Sequence, residues 1–491
     1  MKFWELPSCL KLGSATATNL IRASKGDPYL ITLVPSIAPS PSTGFDIQTG
    51  TLIIGAGACG LVAALAAHEC GQEVLVIEAD TLPAGSTALS AGLIPAAGTS
   101  LQINAGIQDS AELFATDIQS KAKHENSIDL VEKLAGESAA VIEWLMGKYD
   151  FPFTLVNEFD YPGHSVRRMH GLPSRSGREL VDALRAACER VGIDILCDRR
   201  AVILHTQELV VTGASICNSH DLSEIEAIGC EKLILACNGF GGNRDMVSSL
   251  TPEIEHGLWF GHSGNQGEAI KWGEGLGAAL KHLGAYQGHG NVASPHGILI
   301  TWAVITAGGV QLNKNGVRFW DESQGYSEAA RQVLSQPEGV AVAIFDARIA
   351  AIARQFEDFK QAEYMGAIVV SDSLDELARH MGLPPDEVIS TLVNLPSNGV
   401  DEFGRNFSEP SLQAPYYAVK VTGALFHTQG GLMIDSTARV RHTNGAVFPN
   451  LFAGGGAACG VSGSGDSGYL SGNGLLSAVV LGYAAGIAAV K

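Results

Sequence analysis

Three glycines and one glutamate carry the clearest chemistry in this sequence. Gly55, Gly57 and Gly60 stand in GAGACG directly after the apolar run Thr51 to Ile54, and Glu78 closes a second apolar run, Val74 to Ile77. That spacing suits a dinucleotide. The first glycine makes a tight strand-to-helix turn, the second lets the backbone approach a pyrophosphate, and the third lets the helix pack closely on the strand. A helix expected from Ala58 to Cys70 aims its positive N-terminal end at the phosphates. Glu78, about twenty residues on, is placed to accept hydrogen bonds from a ribose diol. A bare βαβ unit without a ligand is the plainer alternative, and the full order of strand, glycines, helix, strand and acid weighs against it.

Other reactive side chains give weaker signals. The nine cysteines, at 9, 59, 70, 188, 197, 217, 230, 237 and 459, are scattered and form no CxxC pair. An odd, dispersed set fits a reducing cytosol, so a cytoplasmic protein without a metal centre is expected. Arg167, Arg168 and His170 cluster within YPGHSVRRMHGLPSRSGREL. A solvated turn is their plain reading, and gripping a substrate carboxylate is the sharper one. Arg318 in NGVRF is expected to pair with an acidic neighbour and to be structural.

The elements that must hold these residues follow from the whole chain. Its 491 residues are 46% hydrophobic and 17% charged, enough for two or more domains. A net charge of −19 disfavours nucleic acid and anionic membrane surfaces as partners. No apolar run reaches the ~18 residues of a membrane span. Residues 1–45 hold Lys2, Lys11, Arg22 and Lys25, and a short apolar piece, Tyr29 to Val34, is broken by Pro35, Pro39 and Pro41. That region is expected to be an extension or an edge element and not a signal peptide.

Further along, Gly85 to Ser100 reads as a small-residue loop, and helical periodicity runs from Ser110 to Lys148. An amphipathic helix is expected to end near Arg190, with strands around 194–204 and 208–217 and a buried strand at KLILACNGFGGN, 232–243. These alternating elements predict an α/β protein with a parallel sheet covered by helices. The stretch from about Tyr286 to His427 mixes strands and helices, with linker-like pieces at Pro384–Pro385 and at 394–403. NLFAGGGAACGVSGSGDSGYLSGNGLLSAVVLGYAAG then returns to strand, glycine loop and apolar helix. The division expected is an N-terminal extension (1–45), a discontinuous nucleotide domain (46–286 and 428–491) and an inserted α+β capping domain (287–427).

GAGACG, STALSAG, ACNGFGGN, HGILITWAVITAGGVQLNKNGVRFWDE, HTQGGLMID and AGGGAACG…YLSGNGLLSA together resemble the flavoproteins of the fumarate reductase and succinate dehydrogenase group. That family also holds the 3-ketosteroid Δ1-dehydrogenases and related ketone desaturases. The resemblance covers about 46–491 and implies a Rossmann-like FAD-binding domain of the glutathione-reductase type with a cap over the flavin. It carries FAD contacts over to Gly55, Gly57, Ala58, Gly60, Glu78, Ala79, Ser86, Thr87, Ser90, Gly92, Ala201, Cys237, Gly239, Gly455 and Leu475. No histidine stands on the loop from Gly85 to Gly92 where some members link FAD covalently, so non-covalent FAD is implied. Gly456 and Asn265 stand where acidic residues are common in the family.

Departures from the family say more about the reaction. His289 and His427 match the two substrate-gripping histidines of fumarate-reducing members. The positions of the arginine donor, its glutamate and its second arginine fall on Tyr326, Trp302 and Ile305, and the carboxylate-binding arginine falls on Tyr469. A Trp and an Ile carry no proton, so that relay is missing. Tyr326 and Tyr469 resemble instead the ketosteroid dehydrogenase pair, with Gly474 as the glycine N–H partner of Tyr469. The implied reaction is α,β-desaturation of a cyclic ketone, either a ketosteroid or a small oxo-cyclohexane-type acid. Tyr326 takes the α proton, and the β hydride goes to flavin N5. A phenol is a weak base at its reference pKa of ~10, so Tyr326 is expected to be lowered by a neighbour. The electron acceptor stays open among O2, a quinone and an electron-transfer protein. Two alternatives remain: an ene-reductase of the fumarate or enoate type, and a flavin-binding subunit without turnover.

Overall fold

The computed structural model describes residues 35–157, 160–221 and 224–489, with the backbone of Ile21–Ala23 and Ile31–Leu33. Much of the expectation for 1–45 therefore lies outside the described residues. Ser36–Pro39 is an edge strand, paired in parallel with Arg199–Gln207.

A nine-stranded sheet carries the glycine turn. Its parallel part sets Ile225–Leu235, Ile47–Ile54, Val74–Ile77 and Asp194–Leu196 side by side. Val447–Ala453 lies on the other side of Ile225–Leu235, also in parallel. These strands are apolar on both faces, as a sheet covered by helices requires. The parallel sheet expected from sequence needs correction at one place. Arg199–Gln207 and Val210–Asn218 pair antiparallel, and so do Val210–Asn218 and Ile225–Leu235. Only Glu208 and Leu209 separate the first two strands, far too few residues for a parallel crossover, and Glu208 takes the positive φ of 54° that a tight hairpin needs.

Helix Ala58–Glu69 is buried from Ala58 to Ala67. It packs along the equally apolar Asn473–Ala488 through small residues. A Cβ on Gly482 would come within 2.4 Å of Cys59 O, and one on Gly486 within 2.5 Å of Ala63 O. The helical stretch expected from Ser110 to Lys148 is two helices, Ala111–Lys121 and Ile128–Tyr149, broken where Lys123 and His124 take positive φ. Gly177–Arg190 ends where expected.

The second sheet has seven strands built on the long strand Tyr416–Thr428, flanked by Tyr286–Ala293 and Val340–Asp346. Helix Tyr326–Leu334 lies against it and begins at Gly325, whose φ of 132° suits glycine. Arg318, buried, pairs with Glu322 and Asp401 and is structural as expected. Pro384–Pro385 is not a linker. Pro385 opens helix Pro385–Val393 at a position where the missing N–H costs nothing. Among the described residues no helix is long and apolar enough to cross a membrane.

Candidate active site

One cavity of about 400 Å³ is lined by residues of both sheets. At its nucleotide end Gly55 has φ 105°, and a Cβ there would sit 2.6 Å from Ala236 O. Gly57 precedes the helix in extended conformation without a side-chain cap, and a Cβ there would meet only Thr87 Oγ1, at 3.4 Å. The helix N-terminus is thus open to an anion. Ala58 N–H donates to Thr87 Oγ1 at 3.0 Å. Glu78 accepts from Ala56 N–H at 2.7 Å and Asp80 N–H at 3.0 Å. Burial pushes its carboxyl up, and those two backbone donors pull it back. A strap from Phe260 to Asn265 closes this end, with His262 Nε2 2.7 Å from Asp80 Oδ2 and Asn265 Nδ2 donating to Ser86 Oγ at 2.8 Å.

Of the positions carried over for the cofactor, Gly55, Gly57, Ala58, Glu78, Ala79, Ser86, Thr87, Ser90, Ala201, Cys237, Gly455 and Leu475 line the cavity. Gly60, Gly92 and Gly239 do not. Each is a close-packing position: a Cβ would stand 1.9 Å from Gly55 O, 2.7 Å from Ser176 O and 2.0 Å from Thr428 Oγ1 respectively.

At the other end Tyr326, Tyr469, Gly474, His289 and His427 come together on one cavity wall. The two phenol rings lie 6.0 Å apart, and Gly474 N–H donates to Tyr469 OH at 3.3 Å. Gly474 sits in the first turn of Asn473–Ala488, whose N-cap Gly472 offers no side chain, so that turn adds its dipole to the site. Burial pushes Tyr469 up to about 12. Tyr326 is also raised well above the ordinary phenol value, by burial and then by Tyr469, with Ser471 acting the other way. The expectation of a lowered Tyr326 is therefore overturned: among the described residues no cation stands beside the ring to stabilise a phenolate, and the group holds its proton.

His289 stacks between Tyr326 and Phe426, with ring centroids 4.8 and 5.1 Å away, and Phe260 stacks on Phe426 at 4.6 Å. Trp302 meets His289 edge-on at 5.8 Å, and Ile305 is buried core. Burial lowers His289 to about 3 and His427 to about 4, so both are neutral near pH 7. Arg168 is spent on Asp109 and Asp117, His170 bonds Thr99 and Arg168 O, and Arg167 pairs with Asp160. None of the three lines the cavity. Sequence reasoning missed Phe260, Phe426, Ser471 and Gln429. Ser471 and Gln429 each stand two residues after a residue it had singled out, Tyr469 and His427.

Residues 50–475 match the FAD binding domain family, FAD_binding_2. The chain belongs to that family. The uncapped helix, the bare backbone at Gly57 and the Glu78 carboxylate fit FAD, and the protein is an FAD-dependent oxidoreductase of the group acting on carbon–carbon bonds. It is similar to a probable fumarate reductase of Shewanella frigidimarina, 30% identical over 93% of this chain and 76% of the relative. A vinyl phenol reductase of Lactiplantibacillus plantarum is 26% identical over 84% of this chain and 90% of its own length. Among solved structures, the open conformation of a flavocytochrome c3 fumarate reductase matches with a TM-score of 0.76 at 29% identity, covering 92% of this chain and 79% of that one. A 3-ketosteroid Δ4-(5α)-dehydrogenase from Rhodococcus jostii matches with a TM-score of 0.73 at 23% identity, over 93% of this chain and all of that one, a likeness of fold.

Proposed function

We propose that the protein oxidises the bond between the α and β carbons of a neutral cyclic ketone. Residues 46–286 and 428–491 serve as the cofactor domain, and 287–427 as the cap. The observation that carries this reading is the cluster of Tyr326, Tyr469 and Gly474 against the cavity wall. Tyr469 O–H and Gly474 N–H turn to the ketone oxygen, where negative charge develops as the α C–H is broken. In this direction Tyr326 accepts that α proton as a phenolate, after first releasing its own phenol proton to solvent. Bound FAD supplies the acceptor for the β hydride. The ring stack of His289, Phe426 and Phe260 gives a flat substrate a wall to lie on and keeps water out. Neutral histidines favour an uncharged ketone over a carboxylic acid. The electron acceptor that reoxidises the flavin would be O2, a quinone or an electron-transfer protein.

One observation favours the reverse direction as a second reading. A Tyr326 that keeps its proton is ready to donate to the α carbon of an enone, as an ene-reductase requires. Anaerobic flavin absorbance separates the two. Bleaching by cyclohexanone or a 3-ketosteroid supports desaturation. Reoxidation of photoreduced flavin by cyclohexenone, with no bleaching by ketones, supports reduction. Bleaching by succinate alone would remove both. Tyr326→Phe should slow whichever reaction occurs by ~10²–10⁴-fold while FAD stays bound.

A further inference from the structure

His289 and His427 each receive a hydrogen bond on Nδ1. At His289 the donor is the backbone N–H of Asn291, 3.2 Å away. At His427 the partner is the side-chain amide of Gln429, 2.6 Å away. The direction of this second bond follows from the groups behind it. Asn473 is fully buried, and its Nδ2 donates to Ser462 Oγ at 3.4 Å. The Ser462 hydroxyl in turn donates to Gln429 Oε1 at 2.9 Å. With its oxygen turned to Ser462, Gln429 presents the NH₂ end to His427, and an amide nitrogen only donates. An imidazolium has no acceptor, so a ring whose Nδ1 accepts is neutral and carries its proton on Nε2. His427 Nε2 faces the cavity wall at Gly456, where a Cβ would come within 3.0 Å of it.

A neutral Nε2–H can donate to a carboxylate or to a ketone, but a carboxylate buried in this cavity needs a positive partner to offset its lost hydration, and an imidazolium would supply one only with both nitrogens donating. The wiring at His289 and His427 forbids that state, because each Nδ1 already faces a donor. We propose that Gln429 is a positioning residue that holds His427 as an Nε2–H donor, and that His289 and His427 form a charge-neutral donor pair selecting a carbonyl or hydroxyl oxygen of the substrate over a carboxylate. The ligand class rests on the ketone reading of the site, whereas the tautomer stands without it.

Nitrogen NMR of the FAD-loaded protein, with histidine labelled and each signal assigned by loss in His289→Gln and His427→Gln, tests the wiring at pH 7. The expected result is a neutral Nε2–H ring at both positions. An imidazolium or an Nδ1–H ring at His427 would overturn the proposal. Gln429→Glu puts an acceptor where the donor was. It should draw a proton onto Nδ1 of His427 and move the preference between acetophenone and benzoate, each titrated by flavin absorbance, at least ~tenfold towards benzoate. Gln429→Met should weaken acetophenone without strengthening benzoate. Unchanged His427 signals in Gln429→Glu, with FAD bound, would sink the positioning role. A locked tautomer in a protein whose flavin responds to no ketone or enone would support the wiring and discard the ketone reading.

Discussion

Tyr326 sits in a buried wall beside the neutral His289 ring, Ser471 and a second phenol, and this sets the terms of its chemistry. A proton leaving a substrate for Tyr326 needs the oxygen pocket of Tyr469 and Gly474 to carry the charge. Removing that pocket should therefore cost as much as removing one oxyanion donor elsewhere. Tyr469→Phe is expected to lower the rate of flavin reduction or reoxidation by ~10²–10³-fold with FAD retention unchanged, measured by stopped-flow absorbance. Tyr326, Tyr469 and Gly474 were legible in the sequence only by matching the chain to family motifs, and they come together in the cavity. The stack of Phe260, His289 and Phe426 was not, because it joins residues from a strap and two strands that meet only in the fold. The cluster at Arg167, Arg168 and His170 shows the opposite error. Its plain reading as a solvated turn fails at Arg168 and His170, which are buried, because Asp109 and Asp117, 59 and 51 residues upstream, neutralise Arg168 in the interior.

Helix Ala58–Glu69 shows how tightly an element can be tied to one residue. A Cβ on Gly60 would stand 1.9 Å from the carbonyl of Gly55, so the helix cannot keep its place against the turn with any larger side chain. Gly60→Ala should lower stability by about 1–3 kcal/mol and release FAD, both visible in a thermal melt followed by flavin fluorescence. Gly136, inside Ile128–Tyr149, is the matching control, since a Cβ there meets nothing within 4 Å. Gly136→Ala should leave FAD in place and raise stability by about 0.5–1 kcal/mol. The glycine turn, the strand after it and the helix ending at Arg190 were readable because local periodicity and spacing dictate them. The direction of Val210–Asn218 was lost, because apolar runs alone look the same in parallel and antiparallel neighbours and only the two-residue gap before it betrays the hairpin.

Across the whole molecule, several buried imidazoles answer to acid together, four of them strongly. Burial holds His164, His170 and His427 near 4 and His289 near 3, against 6.5 for a free histidine. The unfolded chain takes up these protons first as pH falls below 6.5, so each ring withdraws stability from there down to its folded value, at about 1.4 kcal/mol per pH unit. Glu78, Glu268 and Glu328, pushed up by burial, pull the other way above the ordinary carboxylate range. Comparing two proteins isolates one ring. Between pH 6.5 and 5, the stability of His289→Asn measured by urea unfolding should fall less steeply than that of the parent by about that slope. The seam between Ala58–Glu69 and Asn473–Ala488 has a different consequence. The floor of the flavin cradle is made of two segments translated more than four hundred residues apart by sequence position, the first at 58–69 and the last at 473–488. A nascent chain on the ribosome exposes the first of them, apolar on every side, long before its mate exists. The seam can therefore close only after residues 473–488 have been made.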